Sequence, residues 1–138
     1  MDRLSPEGIA TIILPILEKA FHPYAVILFG SSINNRLRPD SDIDIAFLSE
    51  AFFDDFPVFQ VGLELAVLLN RDVDLVNLST ASTVFQTQVL STGTLIFCCD
   101  KQRLLEFHTL ALKKYTRLNE ERQCIFDAAR ERMRHDES

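Results

Sequence analysis

Two short apolar runs, Tyr24–Phe29 and Ile43–Leu48, are separated by a polar segment that opens on Gly30-Ser31-Ser32 and closes, after Pro39-Asp40-Ser41, on Asp42-Ile43-Asp44. This arrangement leaves the chain few folds. In the second run Ile43, Ile45 and Phe47 alternate with the residues between them, as the two-residue period of a strand requires. Asp42 and Asp44 then project from one face of that strand, with the isoleucines packed behind. Two carboxylates on one face repel unless something positive sits there. A divalent metal carrying the phosphates of a nucleotide supplies that charge, and oxygen donors of this kind suit it. A Gly-Ser turn at the end of the preceding strand supplies backbone N–H donors and a hydroxyl to the same phosphates. Acidic turns at strand ends are common without any function, but strand, Gly-Ser, spacer and Asp-x-Asp strand all agree here on one reading.

The rest of the chain builds a sheet and its covering helices. Ser5-Pro6 reads as a helix cap followed by proline at the first helical position, and Ile9, Ile12, Ile13, Ile16, Leu17 and Phe21 recur at helical spacing. Pro15 falls inside that helix and is expected to kink or divide it. From Asp54 to Asn70, Phe56, Phe59, Leu63, Ala66, Val67 and Leu69 mark a second helix whose apolar face covers the sheet, with Asp54 or Asp55 as its cap. Asp72 to Leu78 alternates again as a third strand, Thr80 to Leu90 suits a helix, and Thr94 to Cys98 a short edge strand. Leu104, Phe107, Ala111, Tyr115, Leu118, Ile125, Ala129 and Met133 draw one stripe down a long C-terminal helix, or a pair broken near Asn119. A third carboxylate on the third strand would complete the site and help take a proton from an attacking hydroxyl. Asp74, in the middle of the apolar alternation, is preferred to Asp72 at the exposed start.

At 138 residues the chain has room for one domain, a core of about residues 6–98 followed by a helical segment at about 100–135. No apolar run reaches the roughly 18 residues of a membrane span, and Met1–Pro6 lacks a signal-peptide pattern, so a cytoplasmic location is expected. Cys98, Cys99 and Cys124 are odd in number and wrongly spaced for a zinc site, and free thiols fit a reducing compartment. His22, His108 and His135 are too scattered to be ligands. The net charge of −6 argues against direct binding of nucleic acid, although the basic residues crowd the last third of the chain, a face for an acidic partner or simply a solvated one.

Gly30-Ser31, ten residues, Asp42-Ile43-Asp44 and a later Asp74 resemble the nucleotidyltransferases of the polymerase beta superfamily, over most of the chain as far as about Phe97. The small size and the run from Pro39 to Asp44 are similar to the minimal nucleotidyltransferases, antitoxins encoded beside a helical HEPN ribonuclease toxin. The resemblance implies an α/β (α+β) fold with a small mixed sheet packed by helices. It implies transfer of AMP from ATP, with magnesium (Mg2+), to a tyrosine hydroxyl of the cognate HEPN toxin. Asp42, Asp44 and Asp74 would be both metal ligands and catalytic residues, and Gly30, Ser31 and Ser32 would cradle the triphosphate. Many members carry Arg straight after Gly-Ser and Gly three residues further on, where this chain has Ser32 and Asn35. Asn tolerates the left-handed backbone that Gly would adopt, and Arg38 or Arg36 stands as the substitute phosphate ligand. Two alternatives differ in class: an antitoxin that blocks its partner sterically, and an adenylyltransferase for a small hydroxyl compound such as an aminoglycoside, which usually needs a further domain.

Overall fold

The computed structural model describes residues 5–30 and 42–136. Helix α1 (Pro6–Phe21) starts where the Ser5 hydroxyl accepts the Gly8 N–H, with proline in the first turn where no donor is needed. It ends at His22, whose left-handed backbone lets its N–H reach the Glu18 carbonyl. Pro15 does not divide it. Thr11, whose carbonyl Pro15 cannot serve, lies on the exposed side of the helix, where solvent can take the place of the lost donor.

Four strands follow: β1 (Ala25–Phe29), β2 (Ile43–Leu48), β3 (Val73–Asn77) and β4 (Thr94–Cys98), with helix α2 (Asp55–Leu69) between β2 and β3 and helix α3 (Thr83–Thr92) between β3 and β4. They form one mixed sheet in the order β3-β2-β1-β4, antiparallel except for the β2–β3 pair. The parallel pair needs a crossover, which α2 supplies. As expected, β4 lies at an edge; its register against β1 shifts between Val26 and Ile27.

Alternation along the strands divides the core in two. Val26, Leu28, Ile43, Ile45 and Phe47 face α1 and α2 and meet Ile9, Ile13, Leu17, Phe21, Val58 and Leu65. Phe21 stacks flat on Phe47 at 4.5 Å between ring centroids, with Phe53 edge-on to both. Ala25, Ile27, Ala46 and Leu48 face the other way, toward Val89 of α3 and Leu104 and Phe107 of the C-terminal helix.

Two expectations, the buried face of α2 and the start of α3, are corrected here, and the alternative left open for the C-terminal segment is decided. The face of α2 that covers the sheet is Val58, Val61, Gly62, Leu65 and Leu69, whereas Phe56, Phe59, Leu63 and Val67 face outward. Apolar residues occur on both sides of this helix, so periodicity alone does not choose between them. The C-terminal segment is one unbroken helix, α4 (Lys101–Asp136), which begins where the Asp100 carboxylate accepts the Arg103 N–H. Its first half packs on the domain through Leu104, Phe107 and the buried Ala111, and it is pinned at its start by Arg103, which pairs with Glu50 at 3.3 Å and lies over the Tyr24 ring. Helix α3 begins at Thr83 rather than Thr80, because Leu78–Thr80 first makes a 3-10 turn and Ser82 then caps the helix by accepting the Phe85 N–H.

Candidate active site

Where β1 ends, the chain turns at Gly30 with φ of +70°, a conformation that glycine adopts without the clash a Cβ would bring. The turn has a second requirement. A Cβ on Gly30 would overlap the carboxylate of Asp44, so the acid lies directly against the glycine backbone. The register explains this proximity: Asp44 pairs with Phe29 across the antiparallel β1–β2 ladder.

On its other side Asp44 pairs with Asp74 across the parallel β2–β3 ladder. Directly paired residues on neighbouring strands share a face, so these two acids stand side by side at the end of the sheet, on the face that α3 and α4 cover further along. Asp42 precedes Asp44 by two residues and is exposed, as is Asp74, while Asp44 is half-buried between its neighbours. Asp72 lies just outside β3, and its carbonyl accepts the Ile43 N–H at 2.9 Å. Its backbone fixes the start of the parallel pair, and it is Asp74 whose position matches Asp44.

This crowding has an electrostatic signature. Burial, and after it the charges of Asp74 and Asp42, together push the Asp44 carboxyl up to about 6 from its ordinary 3.8. The group therefore sits where a cation would be welcome. Among the described residues no three His, Cys, Asp or Glu side chains are gathered into a ready cage for a metal.

Ser31, Ser32 and Arg38, expected to bind phosphate, lie outside the described residues, as does Arg36. Two features of the site were not anticipated. One is the contact between Gly30 and Asp44, which needs the strand register to be seen. The other is an aromatic wall: Phe29, the register partner of Asp44, meets Phe85 of α3 edge-on at 5.4 Å between centroids.

A strand leading to a glycine turn and a second strand carrying paired acids beside a third acid are thus joined at one sheet end. Residues 12–102, which include all of these elements, match the family described as Polymerase beta, Nucleotidyltransferase. The chain belongs to this family. Its similarity to the protein adenylyltransferase MntA of Shewanella oneidensis is 36% identity over 102 residues, covering 74% of this chain and 73% of that protein. Among solved structures it resembles a toxin–antitoxin complex with AMP-PNP, at a TM-score of 0.76 and 33% identity over 85% of this chain and 94% of the other. It also resembles a complex of an MNT antitoxin with the tri-AMPylated HEPN toxin of Shewanella oneidensis, at 0.75 and 31% identity over 90% of this chain and 98% of the other. The mixed sheet and its flanking helices are therefore those of a nucleotidyltransferase, and no helix among the described residues is long and apolar enough to cross a membrane.

Proposed function

We propose that this nucleotidyltransferase is an antitoxin that transfers AMP from ATP to a tyrosine hydroxyl of a cognate HEPN toxin. The curated relative is a protein adenylyltransferase, and one structural neighbour holds its HEPN toxin in the tri-AMPylated form while another holds AMP-PNP. A further complex of that kind was studied with two Asp→Glu changes two positions apart, the spacing of Asp42 and Asp44 here. The observation that carries the proposal is the pairing of Asp44 with Asp74 beside Gly30.

Asp42, Asp44 and Asp74 are the residues that would hold magnesium, which when bound offsets the charge that grows on the departing pyrophosphate. Gly30 leaves room for the Asp44 carboxylate to lie against the turn, and the amides and hydroxyls of Ser31 and Ser32 would orient the triphosphate, with Arg38 as a further cation toward it. A cation held there would favour the ionised form of Asp44, opposing the burial and the neighbouring acids that raise its pKa. Asp74, on the open edge strand, faces the incoming hydroxyl and is placed to accept its proton as the oxygen attacks the α-phosphorus. The bond that forms joins the tyrosine oxygen to that phosphorus, and the bond that breaks releases pyrophosphate. β3 ends the sheet, so the acceptor can approach from beyond it. We place the reaction in the cytoplasm, where the free thiols of Cys98, Cys99 and Cys124 would stay reduced.

Mixing the chain with labelled ATP, magnesium and its cognate toxin should label the toxin. A folded chain that binds ATP and leaves the toxin unlabelled contradicts the proposal. Asp42→Asn with Asp44→Asn separates chemistry from steric blocking: the complex should still form while protection of cells from the toxin is lost.

A further inference from the structure

Two apolar helix faces are covered by no element among the described residues. On α2, Phe56, Phe59, Leu63 and Val67 follow one another at helical spacing and are 53–80% exposed, with Phe52 just ahead of the helix equally bare. Taking about 200 Å² for a fully exposed phenylalanine, this stripe together with Phe52 presents on the order of 600 Å² of apolar surface, at the upper end of the largest patch on a typical monomer. At 100° per residue, Asp55 and Glu64 fall on its two flanks, and residues 50–70 contain no lysine or arginine.

The second face lies on the distal half of α4. The side of this helix that packs Leu104, Phe107 and Ala111 on the domain continues as Ile125, Ala129 and Met133, and all three are exposed. Phe126 lies beside them, 64% exposed. Arg122, Arg130 and Arg132 fall on or next to this stripe, with Glu121 the one acid on its flank, whereas Glu120, Asp127 and Glu131 fall on the opposite side of the helix. One stripe is therefore rimmed by acids and the other mainly by arginines. Their lengths also agree, since the 15 residues of α2 span about 22 Å and residues 119–136 about 27 Å.

From this complementarity we infer that α2 receives the distal α4 of a second copy of the chain, so that two copies joined reciprocally cover all four faces. Phe56, Phe59, Leu63 and Val67 meet Ile125, Ala129 and Met133, with Arg122, Arg130 and Arg132 against Asp55 and Glu64. The two patches differ, so a reciprocal exchange closes as a two-fold dimer. This inference does not rest on the adenylyl transfer proposed above.

Sedimentation of the full chain tests it. A dimer is expected, with Phe59→Glu plus Leu63→Glu, and separately Ile125→Glu plus Met133→Glu, each reducing it to monomer. All four positions are exposed, so the variants should fold, and a circular dichroism melt checks that they do. Arg122→Glu with Arg130→Glu should weaken the dimer at least tenfold, and Asp55→Lys with Glu64→Lys in the same chain should restore it. A monomer at every concentration overturns the inference, as does a dimer indifferent to both sets of variants. So does a monomer in which the α2 variants instead lose binding to the toxin, which would assign that face to the other protein.

Discussion

At the scale of single residues, the site depends on a carboxylate pressed against a glycine. Gly30→Ala places a side chain where the Asp44 carboxylate lies and forces φ of +70° on a residue that disfavours it. The backbone strain alone is about 1–3 kcal/mol, so adenylyl transfer should fall at least ~10-fold, read as kcat/KM with toxin and ATP. Asp44 itself should reveal a conflict between stability and function. Its folded pKa of about 6 stands above the ordinary 3.8, so the folded state holds a proton that the unfolded chain has released between these values. The sign is the reverse of that for a salt-bridged acid: stability rises as pH falls from 7 through 6, and the ionised group counts against the fold above 6. In metal-free solution, the wild-type Tm should therefore climb relative to that of Asp44→Asn as pH is lowered from about 7.5 to about 5. Near pH 7.5 magnesium should raise the Tm of the wild type and leave that of Asp44→Asn unmoved. Parallel pH profiles for the two proteins would show that Asp44 is not the group under stress.

At the scale of elements, α2 offers the sharpest contrast, because two leucines two residues apart lie on opposite sides of it. Leu65→Ala opens a cavity against α1 and the sheet and should cost about 2–5 kcal/mol by urea unfolding. In the monomeric Ile125→Glu plus Met133→Glu chain, Leu63→Ala removes an exposed side chain and should change stability by less than about 1 kcal/mol. Equal costs would mean that the helix is rotated from the orientation described. This helix also shows what the sequence could and could not reveal. Each strand was legible to within a residue or two, since alternation and the flanking Gly, Pro and Asp mark its ends. Asp74 was distinguishable from Asp72 by its place in that alternation, and the register then set it beside Asp44. The buried side of α2 was not legible, because Phe56, Phe59, Leu63 and Val67 form as good a stripe as Val58, Val61, Leu65 and Leu69, and only the sheet decides between them. Likewise, the exposed position of Thr11, which lets α1 run through Pro15, is a tertiary fact. The unbroken α4 hid behind Asn119, a poor helix former that a long solvent-exposed helix nonetheless tolerates.

At the scale of the whole molecule, a small four-stranded sheet holds three acids at one end, and the long α4 is anchored by Arg103 and Glu50 at the other. The fold thus separates the chemistry from the root of its longest helix. Among the described residues β3 forms the edge of the sheet beside the acids, the side from which an acceptor as large as a protein would reach them. The central claim is that Asp44 and Asp74 act together in moving an adenylyl group to that acceptor. It is tested most directly by intact-mass measurement of the toxin after incubation with ATP, magnesium and either the wild-type chain or Asp74→Asn. The wild type should add one or more AMP groups. Asp74→Asn, still binding ATP and the toxin, should add them at least ~100-fold more slowly, within the range expected for loss of a general base. An undiminished rate with Asp74→Asn would contradict the account.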